Sequence, residues 1–328
     1  MIFNKNILRI DPALEVERIV QSLRQKVRKT LRRHGGVVGI SGGVDSAVVL
    51  ALSVRAFGPE KVVAVMMPDR DSSPESEQLA RELARQFGVE PLLENITEAL
   101  RGFGCYRRRD QAIRRIFPDF DADAGYKVKI GLPQDLLEES TLNLFSLTVI
   151  TPGGEQRSAT LPPQEFLQIV AASNLKQRTR MAMLYYHAEL HNLAVIGTAN
   201  RNEHDQGFFV KYGDAGVDIK ALGHLYKTQV YQLAEFLAIP KAIRARPPTT
   251  DTYSAPCTEQ EFFFRLPFEL MDSLCYAQEH NIPRSEVAQA LGLTEVQVQR
   301  AYDDLSRKSR ATNYLRMPPL TIPDDVTA

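Results

Sequence analysis

Val37-Val38-Gly39-Ile40-Ser41-Gly42-Gly43-Val44-Asp45-Ser46-Ala47 is the stretch on which the chain is organised. Its first residues read as the end of a buried strand, and the apolar run Ala47 to Val54 reads as a helix. Between them lies a tight turn. Two adjacent glycines let backbone N–H groups come close to a ligand, and the following helix aims its unpaired N–H groups and positive dipole end at the same spot. Strand, glycine turn and helix start together make an anion cradle, most naturally for phosphate. Ser41 and Ser46 add hydroxyl donors. Asp45 repels a bare phosphate, so its presence calls for a cation, and Mg²⁺ held by one carboxylate plus substrate phosphates is the usual arrangement.

No Gly-Lys-Ser/Thr follows the turn, which separates it from the Walker A loop, and it is not the dinucleotide Gly-x-Gly-x-x-Gly. Ser41-Gly42-Gly43-Val44-Asp45-Ser46 resembles the pyrophosphate-binding loop of the ATP pyrophosphatases, which split ATP into AMP and pyrophosphate to activate a carbonyl oxygen. A turn alone would not need Ser, Asp and Ser around Gly-Gly.

The 328 residues are 44% hydrophobic and 24% charged, an ordinary globular balance. Forty basic and forty acidic residues cancel, which argues against a nucleic-acid-binding surface. No apolar run is long enough to span a bilayer, and Met1 to Lys5 does not begin a signal peptide. Cys105, Cys257 and Cys275 are widely spaced and form neither a disulfide framework nor a metal motif. A cytoplasmic protein is the expectation.

Upstream, Asp11 caps a helix with Pro12 in its first turn, and Val16, Ile19, Val20, Leu23, Val27 and Leu31 follow helical spacing. The basic residues from Arg24 to Arg33 read as a solvated face. Downstream, Lys61 to Met67 is a second strand, a helix starts at Ser73-Pro74, and Val89 to Asn95 is a third strand. This β-α-β-α-β alternation predicts an α/β fold: a doubly wound, mostly parallel sheet with helices on both faces. Ligands sit at the carboxyl ends of such strands, which is where the Ser41 loop lies. Residues 102–163 break the rhythm and read as an insertion on the rim of the site, with a hairpin from Leu142 to Ile150 and Gln156 to Leu161. Its arginines (107–109, 114 and 115) have nearby aspartates to pair with. The rhythm returns with a helix from Asn174 to Asn192 and a strand from Leu193 to Gly197. His187 and His191 lack a His-Glu-x-x-His context and read as packing or surface residues. Residues 257–328 form a C-terminal helical appendage to what is otherwise one domain, 1–328. Within it, Arg284 to Leu305 has the outline of a helix-turn-helix. With Arg300 as the main basic residue of its second helix, it reads as a packing pair.

The second informative stretch runs from Gly197 to Ala234. Thr198 follows a strand end, and Glu203 is a second carboxylate able to join Asp45 on Mg²⁺. Lys211, Asp214, Asp218 and Lys227 sit among glycines and aromatics, as in an active-site lid. Here the resemblance becomes specific. SGGVDS, NLKQRTRM, GTANRNE, GFFVKYGDAGVD, LYKTQVYQLA and Pro248-Thr249-Thr250-Asp251 occur in the order found in the NAD synthetase family, and TEQEFFFRLPFELMD resembles its acidic loop and following helix. Together these cover about two thirds of the chain.

The resemblance implies a ligase that forms a carbon–nitrogen bond. The nicotinate carboxylate of deamido-NAD (nicotinic acid adenine dinucleotide) attacks the α-phosphate of ATP, pyrophosphate leaves, and ammonia displaces AMP to give NAD. Carried over, Gly39, Ile40, Ser41, Gly42, Gly43, Val44, Asp45 and Ser46 cradle ATP phosphates. Asp45 and Glu203 hold Mg²⁺, and Thr198 and Thr249 contact ATP. Lys227 neutralises charge at the phosphate, and Arg178, Lys211, Asp218 and Tyr314 bind deamido-NAD; the position of Lys227 behind a glycine-rich, aromatic-flanked loop adds the expectation that loop closure delivers it. The family also implies a homodimer, and the aromatic Phe262, Phe263, Phe264 and Tyr276 of the C-terminal half support that expectation. Many members end in His-Lys-Arg before a proline pair. Tyr314-Leu315-Arg316-Met317-Pro318-Pro319 departs from this, and Leu315 has lost a charge. With no glutaminase domain expected before the Ser41 loop, free ammonia is the expected nitrogen donor, unless a separate glutaminase docks. The competing readings are another ATP pyrophosphatase acting on a nucleotide or tRNA base, a non-enzymatic nucleotide binder, and a DNA-binding regulator.

Overall fold

The computed structural model describes residues 3–4, 6–134, 136–139, 144–250 and 252–321. Asp251, Leu142 and Asn143, which figure in the sequence reading, lie outside them. Helix α1 (Pro12–Gln25) opens the fold, with the Asp11 carboxylate accepting from the N–H groups of Ala13 and Leu14 at 3.0 and 3.1 Å. A single wide turn, Lys26–Thr30, ends it sooner than the apolar spacing suggests.

Five strands form a parallel sheet: β1 (Gly36–Gly39), β2 (Val62–Met66), β3 (Leu92–Leu93), and, after a long excursion, β7 (Ala194–Gly197) and β8 (Ile219–Lys220). Their spatial order is β3-β2-β1-β7-β8, so the chain winds outward from β1 in one direction and then returns to continue in the other. The reversal between β1 and β7 opens a crevice at their carboxyl ends. Period-two alternation sorts the β1 side chains. Val38 and Ile40 face α1, α2 (Val44–Phe57) and α8 (Lys227–Phe236), while Val37 faces α4 (Thr97–Gly102), α5 (Cys105–Arg114) and α6 (Pro163–His191). Helix α3 (Pro74–Gln86) covers the first face beside β2. The expected α/β architecture with both faces covered is therefore present.

Three local expectations are corrected. The third strand spans only Leu92–Leu93, because Glu90-Pro91 before it and Asn95 after it leave two residues for the ladder. Helix α6 begins at Pro163 rather than Asn174, since two successive prolines end the preceding strand and preset the first helical turn. The stretch read as an active-site lid contains regular structure, because Ile219 and Lys220 pair with Ile196 and Gly197 as the edge strand.

Between α5 and α6 lies a second, antiparallel sheet of β4 (Lys127–Gly131), β5 (Ser146–Ile150) and β6 (Gln156–Thr160). The last two form the expected hairpin in its described part. The Arg-rich stretch pairs with acids: Arg114 with Asp121 at 3.9 Å and Arg115 with Glu165 at 2.8 Å. At the C-terminal end, α10 (Phe268–Glu279), α11 (Arg284–Leu291) and α12 (Glu295–Ala311) bury Met271, Leu274, Val287, Val298 and Leu305 against one another, so the helix-turn-helix outline is a packing pair. His187 is likewise buried, 2.9 Å from Glu94. No helix among the described residues is long and apolar enough to cross a membrane.

Candidate functional site

The Ser41 loop is tied to itself before it binds anything. Ser46 Oγ donates to the Gly43 carbonyl at 3.0 Å, and Ser41 Oγ accepts from the Gly43 N–H at 3.3 Å. Gly42 is the residue the turn cannot replace. Its φ is +78°, and a Cβ there would lie 2.6 Å from the Ser76 carbonyl oxygen on α3. Val44 then starts α2, so the loop amides and the helix N-terminus converge on one hollow.

Two hollows meet at this loop, with Ser41, Ser46, Ser76 and Thr198 bordering both. The first is largely apolar and runs between β1, β2 and α6, with Gly39, Met67, Met181, Leu184 and Val217 on its walls and Arg180 and Asp214 at its rim. The second is polar and is lined by Gly43, Asp45, Glu203, Lys227, Arg246, Thr249 and Glu259. Elements far apart in sequence supply it: Asp45 from α2, Glu203 from α7 (Arg201–Gln206), Lys227 from the first turn of α8, and Glu259 from the loop before the wide turn Gln260–Phe264.

At the centre of the polar hollow, Lys227 Nζ lies 2.5 Å from Asp45 Oδ2 and 3.5 Å from Glu259 Oε2, and its side chain is fully buried. Asn200 Nδ2 bridges the carboxylates, donating to Asp45 Oδ1 at 3.1 Å and to Glu203 Oε1 at 2.9 Å. Beneath them, Asn202 accepts from the Lys227 N–H at 3.0 Å and donates to Asp272 at 2.6 Å, fixing the start of α8. Burial alone would lower the Lys227 ammonium, but Asp45, Glu259 and Glu203 more than offset it and hold the proton on. One ammonium does not balance three carboxylates. Burial, reinforced by Asp45, pushes Glu203 well above the usual carboxylate range, and burial raises Glu259 as well.

Lys227 needs no delivery. It already sits among its partners, which corrects the idea that lid closure brings it in. Of the lid aromatics, Phe208 is an anchor, stacking on Phe263 at 5.1 Å and meeting Phe264 edge-on at 5.2 Å, while Tyr212 is exposed.

The remaining sequence-derived residues lie outside the polar hollow. Arg178 is exposed beside a separate shallow cleft with Tyr185 and Tyr212, its Nε donating to the Lys211 carbonyl at 3.3 Å. Lys211 Nζ donates to the Tyr314 and Met317 carbonyls at 3.1 and 2.9 Å, holding the C-terminal segment, while the Tyr314 side chain is exposed. The Asp218 carboxylate accepts from Tyr185 Oη and the Val195 N–H at 3.1 and 2.8 Å. Asn200, Asn202 and Glu259 were missed. The two asparagines lie inside the quoted GTANRNE motif, three residues and one residue before Glu203, and Glu259 lies within TEQEFFF; in a hollow built of buried charge, neutral bridges and a third acid are the signals to look for. The cysteines take no part. Burial raises all three thiols, Cys257 to about 12.

Known proteins share the sequence and the fold of this chain. The NAD synthase family model matches residues 15–116 and 145–317. The chain is 50% identical over 314 residues to the NH(3)-dependent NAD(+) synthetase of Mesorhizobium japonicum, covering 96% of this chain and 98% of that one. It is 47% identical over 319 residues to that of Rhizobium meliloti, covering 97% and 94%. Its fold resembles the NH3-dependent NAD synthetase of Campylobacter jejuni, with a TM-score of 0.61 at 22% identity over 96% of this chain and all of that one. The chain that folds around the Ser41 loop thus belongs to the NAD synthase family.

Proposed function

We propose that the chain makes NAD from deamido-NAD, ATP and ammonia. The observation that carries this reading is the continuity of the two hollows. An apolar cleft suited to an adenine base opens, past four shared residues, onto a glycine-lined cradle with three carboxylates and a buried ammonium. That is the layout for holding ATP with its α-phosphate beside the charged cluster.

In this reading the amides of Gly42 and Gly43 and the start of α2 bind the departing pyrophosphate, and Thr198 and Thr249 line the path between base and phosphates. The nicotinate carboxylate oxygen attacks the α-phosphorus, the bond to the β-phosphate oxygen breaks, and pyrophosphate carries away the electron pair. Lys227, kept protonated by its neighbours, stabilises the charge that builds on the α-phosphoryl oxygens. Ammonia then attacks the acyl carbon, and AMP leaves with the former carboxylate oxygen. Such chemistry is positioning and electrostatics, with no covalent nucleophile needed. Arg178, Lys211, Asp218 and Tyr314 are assigned to deamido-NAD; their grouping around α6 and the C-terminal segment supports one shared substrate face.

Mg²⁺ fits the donor set. Such an ion is held by one or two carboxylates, with substrate phosphates filling the rest. Asp45 and Glu203 would hold it, and the excess of buried carboxylate is what a divalent cation relieves. When bound, the ion neutralises triphosphate charge and orients it.

Residues 102–163 are proposed as an insertion and 257–328 as a helical appendage to a single domain. A homodimer is also proposed. Phe262, Phe263 and Phe264 do not support it, because they pack with Phe208 and Phe268 inside the fold; the exposed Tyr186 and Leu190, one turn apart on α6, do. The purified chain with deamido-NAD, Mg-ATP and ammonium should form NAD. Glutamine in place of ammonium should not, and glutamine-driven synthesis by the chain alone would refute the nitrogen source.

A further inference from the structure

The outer edge of β4 is occupied. Along one side, β4 pairs with β5. Along the other, the alternate residues Val128, Ile130 and Leu132 face the loop that carries Thr249 and Glu259. Val128 accepts from the Ala255 N–H at 3.0 Å and donates its own N–H to Ser254 Oγ at 3.0 Å. The Ile130 carbonyl receives the Cys257 thiol at 3.4 Å, and the Leu132 N–H donates to the Glu261 carbonyl at 3.0 Å. Lys129 adds an ion pair to Glu261 at 3.6 Å. An exposed strand edge is a row of unmet donors and acceptors, and here the loop meets them.

The same loop is closed on itself and pinned at its tip. Glu259 N–H donates to the Pro248 carbonyl at 2.9 Å, and Thr249 bridges Thr258. Tyr253 and Ala255 are buried, Tyr253 within the core shared by β4, β5 and α6. Beside it Lys176 of α6, 1% exposed, spends its ammonium on three acceptors: Asp71 Oδ2 at 2.7 Å, Thr252 O at 2.9 Å and Asp69 Oδ1 at 3.0 Å. Asp69 and Asp71 follow the carboxyl end of β2. Asp69 pairs with Arg180, which lines the apolar cleft, and Asp71 pairs with Arg109 of α5 at 2.5 Å.

We propose that the antiparallel sheet and Lys176 hold the two described arms of this loop, 248–250 and 252–261, ready-formed over the polar hollow, with Lys176 as the positioning residue that links the loop, the cleft wall and α5. Glu259 and Thr249 then stand in place before any nucleotide arrives. Ordering a loop of this length at the moment of binding would draw on substrate binding energy; ordering it by the fold leaves that energy for the reaction. Only the kinetic consequence rests on the proposed reaction, since loop order is measured without substrate.

Hydrogen exchange followed by mass spectrometry on the ligand-free chain tests this. Peptides covering 252–261 should be protected to the level of β4 peptides, and Mg-ATP should add little. Exchange at the rate of the exposed Thr151–Glu155 turn, with protection only after Mg-ATP, would overturn the proposal. In Lys176→Met, exchange at 252–261 should quicken by about tenfold or more relative to β1 and β7, and kcat should fall by about tenfold with a smaller change in KM for ATP. Equal loosening of β1, or unchanged kinetics with a loosened loop, would assign Lys176 a general structural role instead. Ser254→Ala, which removes only the acceptor for Val128, should loosen the loop in the same direction; no change in exchange there would also count against the β4 contact.

Discussion

Two clusters of buried charge flank the crevice, and they are built on opposite principles. Around Lys176, three carboxylates (Asp69, Asp71, Asp110) meet three cations (Lys176, Arg109, Arg180) at 2.5 to 3.0 Å, and Arg70 adds a more distant fourth at 3.6 and 3.8 Å, so every acid is matched. Around Lys227, Asp45 and Glu259 meet one ammonium and Glu203 joins through Asn200, while Arg246, the other cation on this hollow, is turned to Ser76. The consequence is visible in two acids. Burial opposes ionisation of both Asp71 and Glu203, yet Lys176 and Arg109 bring Asp71 below its ordinary range, while Glu203, beside Asp45, is held far above its own. A balanced cluster is finished as folded. An unbalanced one is short of positive charge, and in a pocket beside a phosphate cradle that shortage is a binding preference.

The largest effects should come from the unbalanced cluster. Asp45→Asn and Glu203→Gln should each reduce turnover about 10³-fold or more at limiting Mg²⁺, while thermal unfolding stays close to wild type or rises, because each removes surplus buried negative charge. Near-normal turnover in either variant at limiting Mg²⁺ would dissolve the distinction. Breaking the balanced cluster should do the reverse. Arg109→Met leaves buried Asp71 and Asp110 short of a partner and should destabilise the fold by about 3–5 kcal/mol, read by chemical denaturation, with a smaller loss of turnover than at Asp45.

Gly42→Ala comes next. A left-handed Ala costs about 1–2 kcal/mol, and the Cβ contact with Ser76 O adds to it. The loop must therefore shift, and KM for ATP should rise more than stability falls. Turnover and affinity equal to wild type would mean the turn relaxes freely.

The smallest effect is a pH slope. Burial holds Asp214 at about 6 against an ordinary 3.8, partly offset by the Val210 N–H. The folded state therefore keeps this proton longer than the unfolded chain does. The associated stability is fully present below about pH 4 and is lost as pH rises through 6. Asp214→Asn keeps an acceptor for Val210 and removes the titration. The melting temperature of the variant relative to wild type should climb between pH 4 and 7, and a constant difference would place Asp214 outside the titrating set.

The two clusters were not equally legible in sequence. Asp45 and Glu203 follow strand ends inside recognisable motifs, so local pattern and strand polarity together point to one crevice. Lys227 was legible as a motif residue, but its burial was not, because that depends on three acids from separate elements. The balanced cluster was invisible: Asp69, Asp71, Arg109 and Lys176 carry no shared spacing, and only the return of α6 beneath β2 brings them together. Strand β4 was missed for a similar reason, since Lys127–Gly131 alternates too briefly to stand out, and its partner strands come later. Helix α6 was read short because a pair of prolines marks a stop as readily as a start.

The most direct test of the account is the fate of ATP. Phosphorus-31 NMR of the wild-type chain turning over deamido-NAD, ammonium and Mg-ATP should show AMP and pyrophosphate accumulating in equal amounts and in step with NAD, with neither product from the Asp45→Asn protein. Cleavage to ADP and phosphate, or AMP formation that persists without Asp45, would contradict the assignment of the unbalanced cluster as the place where the α-phosphate reacts.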